Sequence, residues 1–174
     1  MTARRDDIAY WSAFTTPLGT SYVAATNKGV CRVAVPNETR EHFFVWLYKH
    51  FDVSKVLPHP TPGIECIDQL GEYLAGERTR FEVHLDLRGT EFQLATWDAI
   101  LRIPYGTTIT YRDLARELGI PKAYQAVGGA VGLNPVPVIV PCHRVLGSDG
   151  SLTGYLGGVS TKQWLLRHEG ALLI

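Results

Sequence analysis

Cysteine is scarce in this chain. Cys31, Cys66 and Cys142 are an odd number of thiols with no CxxC spacing, a pattern that argues against a disulfide framework or a cysteine zinc site. Charge of one sign is also missing. Seventeen lysines and arginines balance seventeen aspartates and glutamates, so the formal net charge is zero. Bulk positive charge is thereby set aside as a grip on nucleic acid, and any DNA contact rests on local placement of a few groups. No apolar run reaches the roughly 18 residues of a membrane helix, and the N-terminal stretch MTARRDDIAY has no apolar signal core. These absences predict a cytosolic (cytoplasmic) protein with no membrane partner, where a free thiol persists. The phosphate-loop pattern GxxxxGKS/T is absent, His84 has no cysteine nearby, and neither metal nor cofactor is expected. What is present, 45% hydrophobic and 20% charged residues among 174, suits an ordinary globular chain of one or two domains.

Trp11 to Thr15, Tyr22 to Thr26 and Val30 to Val35 are β-rich, separated by Pro17-Leu18-Gly19 and Asn27-Lys28-Gly29. That order predicts an antiparallel meander. Cys31 in the third strand and Cys66 in a helical segment read as small buried hydrophobes. Glu38 to Phe51 and Ile64 to Ala75 repeat apolar residues at helical spacing, the second stopped by Gly76. Pro58, Pro60 and Pro62 predict an irregular surface loop between these helices. Val83 to Leu87 alternates apolar and polar residues and is expected to add a strand to the same sheet.

After Arg88-Gly89 the character becomes helical. Thr90 with Gln93 makes a capping-box pattern ahead of the stripe Phe92, Leu94, Trp97, Ile100 and Leu101. Thr110 is placed to cap Tyr111 to Leu118, and Gly119-Ile120-Pro121 turns the chain into a further helix, about Ala123 to Leu133. The pair is a helix-turn-helix candidate. Its second helix is stripped of bulk at Ala126, Gly128, Gly129, Ala130 and Gly132, although an interior glycine costs about 1 kcal/mol relative to alanine. Two explanations stand open: tight packing on another helix, or close approach of a ligand such as a DNA minor groove. Asn134-Pro135 ends the helix, and Val136 to Val140 is expected to run straight to Cys142.

Pro141-Cys142-His143-Arg144 carries the reactive groups. A thiol of ordinary pKa is a poor nucleophile until something removes its proton, and an imidazole does so at neutral pH. Neighbours in an extended segment point to opposite faces, so a sharp turn after Pro141, with a water between thiol and imidazole, is expected. Glu169, beyond a helix from Ser160 to His168 capped by Ser160 with Gln163, is the candidate partner of the imidazole. Its alternative is a solvated helix-end carboxylate. Tyr111 is either a groove contact or a core residue. The loop from Thr153 to Gly158 is glycine-rich and suited to covering a site.

Val140-Pro141-Cys142-His143-Arg144-Val145, with Asn134-Pro135 before it and Gly154-Tyr155-Leu156-Gly157-Gly158 and Leu165-Leu166-Arg167-His168-Glu169-Gly170 after it, resembles the O6-alkylguanine-DNA alkyltransferases (methylated-DNA–protein-cysteine methyltransferases). Phe92-Gln93, Trp97, Ile103-Pro104-Tyr105-Gly106 and Tyr111 extend the likeness over residues 90–174, while residues 1–89 match in general plan. The resemblance implies an α+β protein. Residues 1–89 would form a ribonuclease H-like antiparallel sheet with helices, and residues 90–174 a mostly helical domain whose helix-turn-helix binds the minor groove. It implies double-stranded DNA carrying O6-alkylguanine, and also O4-alkylthymine, as the partner of a monomer that acts without cofactor, with cooperative binding along DNA left open. The damaged base is flipped out for reaction, and Cys142 takes its alkyl group irreversibly, once per molecule. By similarity His143 is the water-mediated base, Glu169 its partner, Tyr111 the donor to guanine N3 and Asn134 a brace. Backbone groups of Cys142, Val145 and Leu156 read the guanine edge. Gln125, Ala126, Gly128, Arg144 and Tyr155 complete the substrate and DNA contacts.

Two positions depart from the family pattern. Gln125 stands where an arginine normally enters the duplex, and lacks its charge and stacking fork. Gln125→Arg is expected to speed repair of duplex DNA more than of free alkylguanine. Leu156 replaces a small residue, which predicts a narrower pocket mouth and poorer reaction with O6-benzyl substrates. The rival readings are a lesion-binding sensor without repair activity, disfavoured because Cys142 is present, and a Cys142–His143–Glu169 hydrolase that would turn over repeatedly. A methylation-triggered activator would need a metal-binding module that the sequence lacks.

Overall fold

The computed structural model describes residues 7–59 and 61–172. The first six residues, which hold most of the stretch read for a signal core, and Pro60 lie outside them. The chain forms two compact units that divide between Arg88 and Gly89.

In the first unit β1 (Ala9–Thr16), β2 (Gly19–Thr26) and β3 (Gly29–Ala34) form the expected antiparallel meander, with Trp11 opposite Ala24 and Val23 opposite Val33. The helix α1 (Arg40–His50), capped by the Thr39 side chain, lays Phe43 and Leu47 on this sheet, where they pack with Ala9, Ala24, Cys31, Ala34 and Phe51. Small strand residues let the aromatic rings sit close to the backbone. Cys31 and Cys66 are buried, and burial pushes both thiols up to about 12. α2 (Ile64–Leu74) ends where Gly76 takes a positive φ and its N–H bonds the Tyr73 carbonyl.

Two expectations fail here. The proline stretch is not wholly irregular: β4 (Val56–Pro58) runs parallel to β1 and makes the sheet mixed, in the order β3-β2-β1-β4. An edge strand tolerates Pro58 because its outer side needs no N–H donor. Val83 to Leu87 makes only an isolated parallel bridge, through Val30 N–H to the His84 carbonyl and Asp86 N–H to the Val30 carbonyl. Alternation alone does not make a strand when one residue finds a ladder partner.

The second unit begins with α3 (Glu91–Leu101), whose capping box joins Thr90 and Gln93 reciprocally. α4 (Tyr111–Glu117) is capped by Thr110, and a 3₁₀ turn at Pro121–Ala123 leads into α5 (Tyr124–Gly132). α5 turns Val127, Ala130 and Val131 inward, and the Trp97 indole N–H donates to the Ala130 carbonyl at 2.9 Å, tying α3 to α5. α6 (Gly158–His168) starts two residues before the expected cap; Gly157 is its N-cap, and Ser160 is an exposed first-turn residue. No described helix is long and apolar enough to cross a membrane.

Candidate active site

Two short parallel strands, β5 (Ile109–Thr110) and β6 (Val145–Leu146), set the start of α4 beside the segment that carries the thiol. Val136 to Val140 does not run straight. Val138 has φ +75° and the Val140 N–H closes on the Val136 carbonyl at 2.9 Å, folding the apolar run into a tight loop. A β-branched residue in that region is strained by about 1–3 kcal/mol and persists because its surroundings are buried and packed. Asn134 holds the loop. Its side-chain oxygen accepts from Val136 N–H at 3.0 Å, and its amide donates to the Val140 carbonyl at 2.7 Å and to Cys142 Sγ at 3.1 Å.

Cys142–Arg144 is one turn of 3₁₀ helix following Pro141, the sharp turn the adjacent thiol and imidazole required. Cys142 is 6% exposed. Burial pushes its thiol up to about 11, against the Asn134 hydrogen bond and the Lys162 charge, which pull it down. The resting sulfur is therefore protonated at neutral pH and needs a base. His143 is fully buried, and its Nε2 lies 2.8 Å from Glu169 Oε1. A carboxylate only accepts, so Nε2 carries the proton and Nδ1 presents a lone pair. That Nδ1 is buried with no hydrogen-bond partner among the described residues. Burial lowers the imidazole pKa and Glu169 opposes the shift, which keeps the ring neutral and able to take a proton.

Glu169 is the hub. Besides His143 it accepts from Arg144 Nε at 2.9 Å and Nη2 at 2.8 Å, and from Gly106 N–H at 3.1 Å. Gly106 fits this approach with φ +74° and no Cβ; one built there would stand 3.0 Å from the Glu169 carbonyl. Arg144 also donates to the Ile103 carbonyl at 2.6 Å. This corrects its assignment to DNA: the guanidinium is buried and committed inward, where it balances Glu169. Glu169 is likewise no solvated carboxylate.

Tyr111 is half-buried. Its ring lies against Gly128 of α5, and its hydroxyl donates to the Thr153 carbonyl at 3.0 Å. Burial raises its pKa, which keeps the phenol protonated. Gly154, at φ +75°, passes so close that a Cβ would stand 3.1 Å from this hydroxyl.

Lys162 was not anticipated. It is 0% exposed and donates to the Val145 carbonyl at 2.7 Å and the Thr153 carbonyl at 3.0 Å. Burial brings its pKa down to about 8, with the Cys142 charge opposing. The available signal was its place on the buried stripe Thr161, Lys162, Leu165, Leu166 of α6, where lysine is out of character. Val145 is correspondingly tied in: its N–H closes on the Cys142 carbonyl and its carbonyl holds Lys162. Of the guanine-edge contact expected there, only the carbonyl's second lone pair remains. Tyr155 is buried, and Leu156 is exposed beside it.

On α5 the outward residues are Tyr124, Gln125, Ala126 and Gly129, with Gly128 and Gly132 half-buried. A Cβ added at Gly129 or Gly132 would meet nothing within 4 Å. Tight helix packing therefore does not explain those two glycines; they leave an open face. Among the described residues no group of three or more His, Cys, Asp and Glu is placed to hold a metal.

Two family profiles match the chain. "6-O-methylguanine DNA methyltransferase, ribonuclease-like domain" covers residues 9–87, and "6-O-methylguanine DNA methyltransferase, DNA binding domain" covers residues 91–171. The inducible methylated-DNA–protein-cysteine methyltransferase of Bacillus subtilis is 42% identical over 160 residues, 92% of this chain and 89% of its own length. The Salmonella typhimurium methylated-DNA–protein-cysteine methyltransferase is 40% identical over 91% of this chain and 94% of its own. Among solved structures, Mycobacterium tuberculosis O6-methylguanine methyltransferase superposes with TM-score 0.80 at 39% identity, covering 95% of this chain and 93% of that one. Mycobacterium tuberculosis OGT in complex with DNA gives 0.79 at the same identity, with 93% of each chain covered.

Proposed function

Because the chain belongs to the 6-O-methylguanine DNA methyltransferase family, we propose that Cys142 is the residue that receives the alkyl group and that His143, Glu169, Tyr111 and Asn134 serve it. The activity itself is direct repair of DNA: the alkyl group of an O6-alkylguanine passes to a cysteine of the protein, and each molecule acts once.

The observation that carries the assignment is the bonded series around the thiol, Asn134 to Sγ at 3.1 Å and His143 Nε2 to Glu169 at 2.8 Å. The thiol proton leaves for His143 Nδ1, by the water-mediated route the family likeness implies, and Glu169 stabilises the imidazolium that results. The thiolate attacks the alkyl carbon; the S–C bond forms as the C–O6 bond breaks and its electron pair stays on the base. Tyr111 leaves Thr153 to donate its proton at guanine N3 and regains one from solvent, while the His143 imidazolium returns the thiol proton to solvent, so the released guanine is neutral and both groups are restored. Water does not cleave the thioether, and the protein is consumed.

The open face of α5, centred on Ala126 and Gly129, is the surface we assign to the minor groove, with Gln125 at its leading end and Gly128 behind it. Leu156 and Tyr155 form the rim of the pocket for the flipped base. The same geometry serves an O4-alkylthymine, whose alkyl carbon is attached to oxygen in the same way. The chain acts as a monomer, as the family likeness implies, and in the cytoplasm, where its three free thiols persist.

Intact-mass measurement after incubation with an O6-methylguanine oligonucleotide tests the assignment. One added methylene, mapped to Cys142 and absent in Cys142→Ala, is the expected result. Addition elsewhere, or release of many guanines per protein molecule, would refute it; the second outcome is what a hydrolase gives.

A further inference from the structure

The leading end of α5 carries an exposed aromatic–cation pair that the site described above does not use. Tyr124, the first residue of the helix, is 37% exposed, and the Arg112 guanidinium from α4 stands 5.2 Å from its ring centroid. Neither side chain has another task. Arg112 makes no ion pair or hydrogen bond among the described residues, whereas Arg116 on the same helix and Arg102 at the end of α3 are paired with Asp113 and Asp98. The Tyr124 hydroxyl is likewise without a hydrogen-bond partner among those residues. Gln125, next to it, is neutral and exposed.

We propose that the Tyr124 ring, braced from behind by Arg112, is the wedge that stacks on the DNA bases beside the extruded nucleotide. The inference rests on the assignment of the α5 face to DNA. Every base has a π-face, so a ring at the edge of a groove-facing helix stacks without regard to sequence. Apolar and aromatic wedges of this kind unstack a base step and keep it open. The guanidinium on the far side of the ring adds a cation close to the phosphates while holding the ring's orientation. Glutamine at position 125 supplies neither a stacking plane nor a charge, and Tyr124 with Arg112 supplies both one residue away.

The test compares Tyr124→Ala, Tyr124→Phe and the wild type in full-length protein. The rate of alkyl transfer is measured from a duplex containing O6-methylguanine and from the free O6-methylguanine base. Loss of one stacked base predicts a duplex rate lower on the order of 10-fold or more in Tyr124→Ala, with the free-base rate within about twofold of wild type and Tyr124→Phe close to wild type on both. A duplex rate in Tyr124→Ala that matches wild type overturns the proposal. So does an equal fall on both substrates, which marks a structural effect. Gly129→Glu, which puts a carboxylate on the open face, separates the two levels. If it suppresses duplex repair while Tyr124→Ala is silent, only the wedge fails. If it too is silent, the DNA assignment of α5 fails with it.

Discussion

Lys162 is a buried ammonium whose hydrogen bonds reach two carbonyls on either side of the 147–150 turn, fastening the segment after the nucleophile to the loop that holds Tyr111. Its position carries an electrostatic cost that is legible in pH. The folded-state pKa of about 8 lies below the ordinary 10.5, so between those values the unfolded chain binds more protons than the folded one. Stability contributed by this group therefore rises with pH across that window, is complete above it, and is lost as pH falls through about 8. The three cysteines, all raised, act in the opposite sense above pH 9. Cys31 and Cys66 cancel between wild type and variant. Cys142, raised further once the Lys162 charge is gone, moves the difference in the same direction as the lysine. Urea denaturation of wild type and Lys162→Met from pH 7.5 to pH 10.5 should show wild type gaining on the variant as pH rises. A difference that is flat or falling would show that the ammonium is not desolvated as described.

At the scale of elements, the 3₁₀ turn at Cys142–Arg144 and the C-terminus of α6 are joined by one carboxylate. Arg144→Ala removes both guanidinium bonds from a Glu169 that stays buried, and breaking a buried pair in this way costs about 3–5 kcal/mol. Equilibrium unfolding should report that loss, while the salt dependence of DNA binding stays unchanged; a changed salt slope with intact stability would return Arg144 to the DNA surface. Local signals made several elements readable in advance. Thr90 with Gln93 and Thr110 with Asp113 are caps completed within four residues. The tight loop at Val138 was not readable, since valine argues for extended backbone and its positive φ is imposed by Asn134, four residues away, and by packing. β4 was hidden by its proline, and the start of α6 by a serine that looked like a cap one turn too late.

For the whole molecule, zero net charge means that DNA affinity comes from few cations. Arg112, Arg116 and Lys122 are exposed on α4 and the turn before α5. Neutralising three phosphates predicts a slope of log K against log salt of roughly −3. Fluorescence anisotropy of an unmodified duplex titrated between low and physiological salt measures it. A slope two or three times steeper would mean that cations beyond this surface take part.

What the sequence determined by itself is whatever short-range chemistry encodes: the meander and its turns, the capped helices, the bulk-free helix, and a cysteine beside a histidine after proline. Those features are each complete within a few neighbouring residues. Only the tertiary structure decided which charged side chains are inside. Arg144, Lys162 and Glu169 have long polar chains that are equally satisfied in water, and nothing local says otherwise. Their partners come from positions up to 63 residues away, as Gly106 does for Glu169, and burial of a charge is settled by what packs around it.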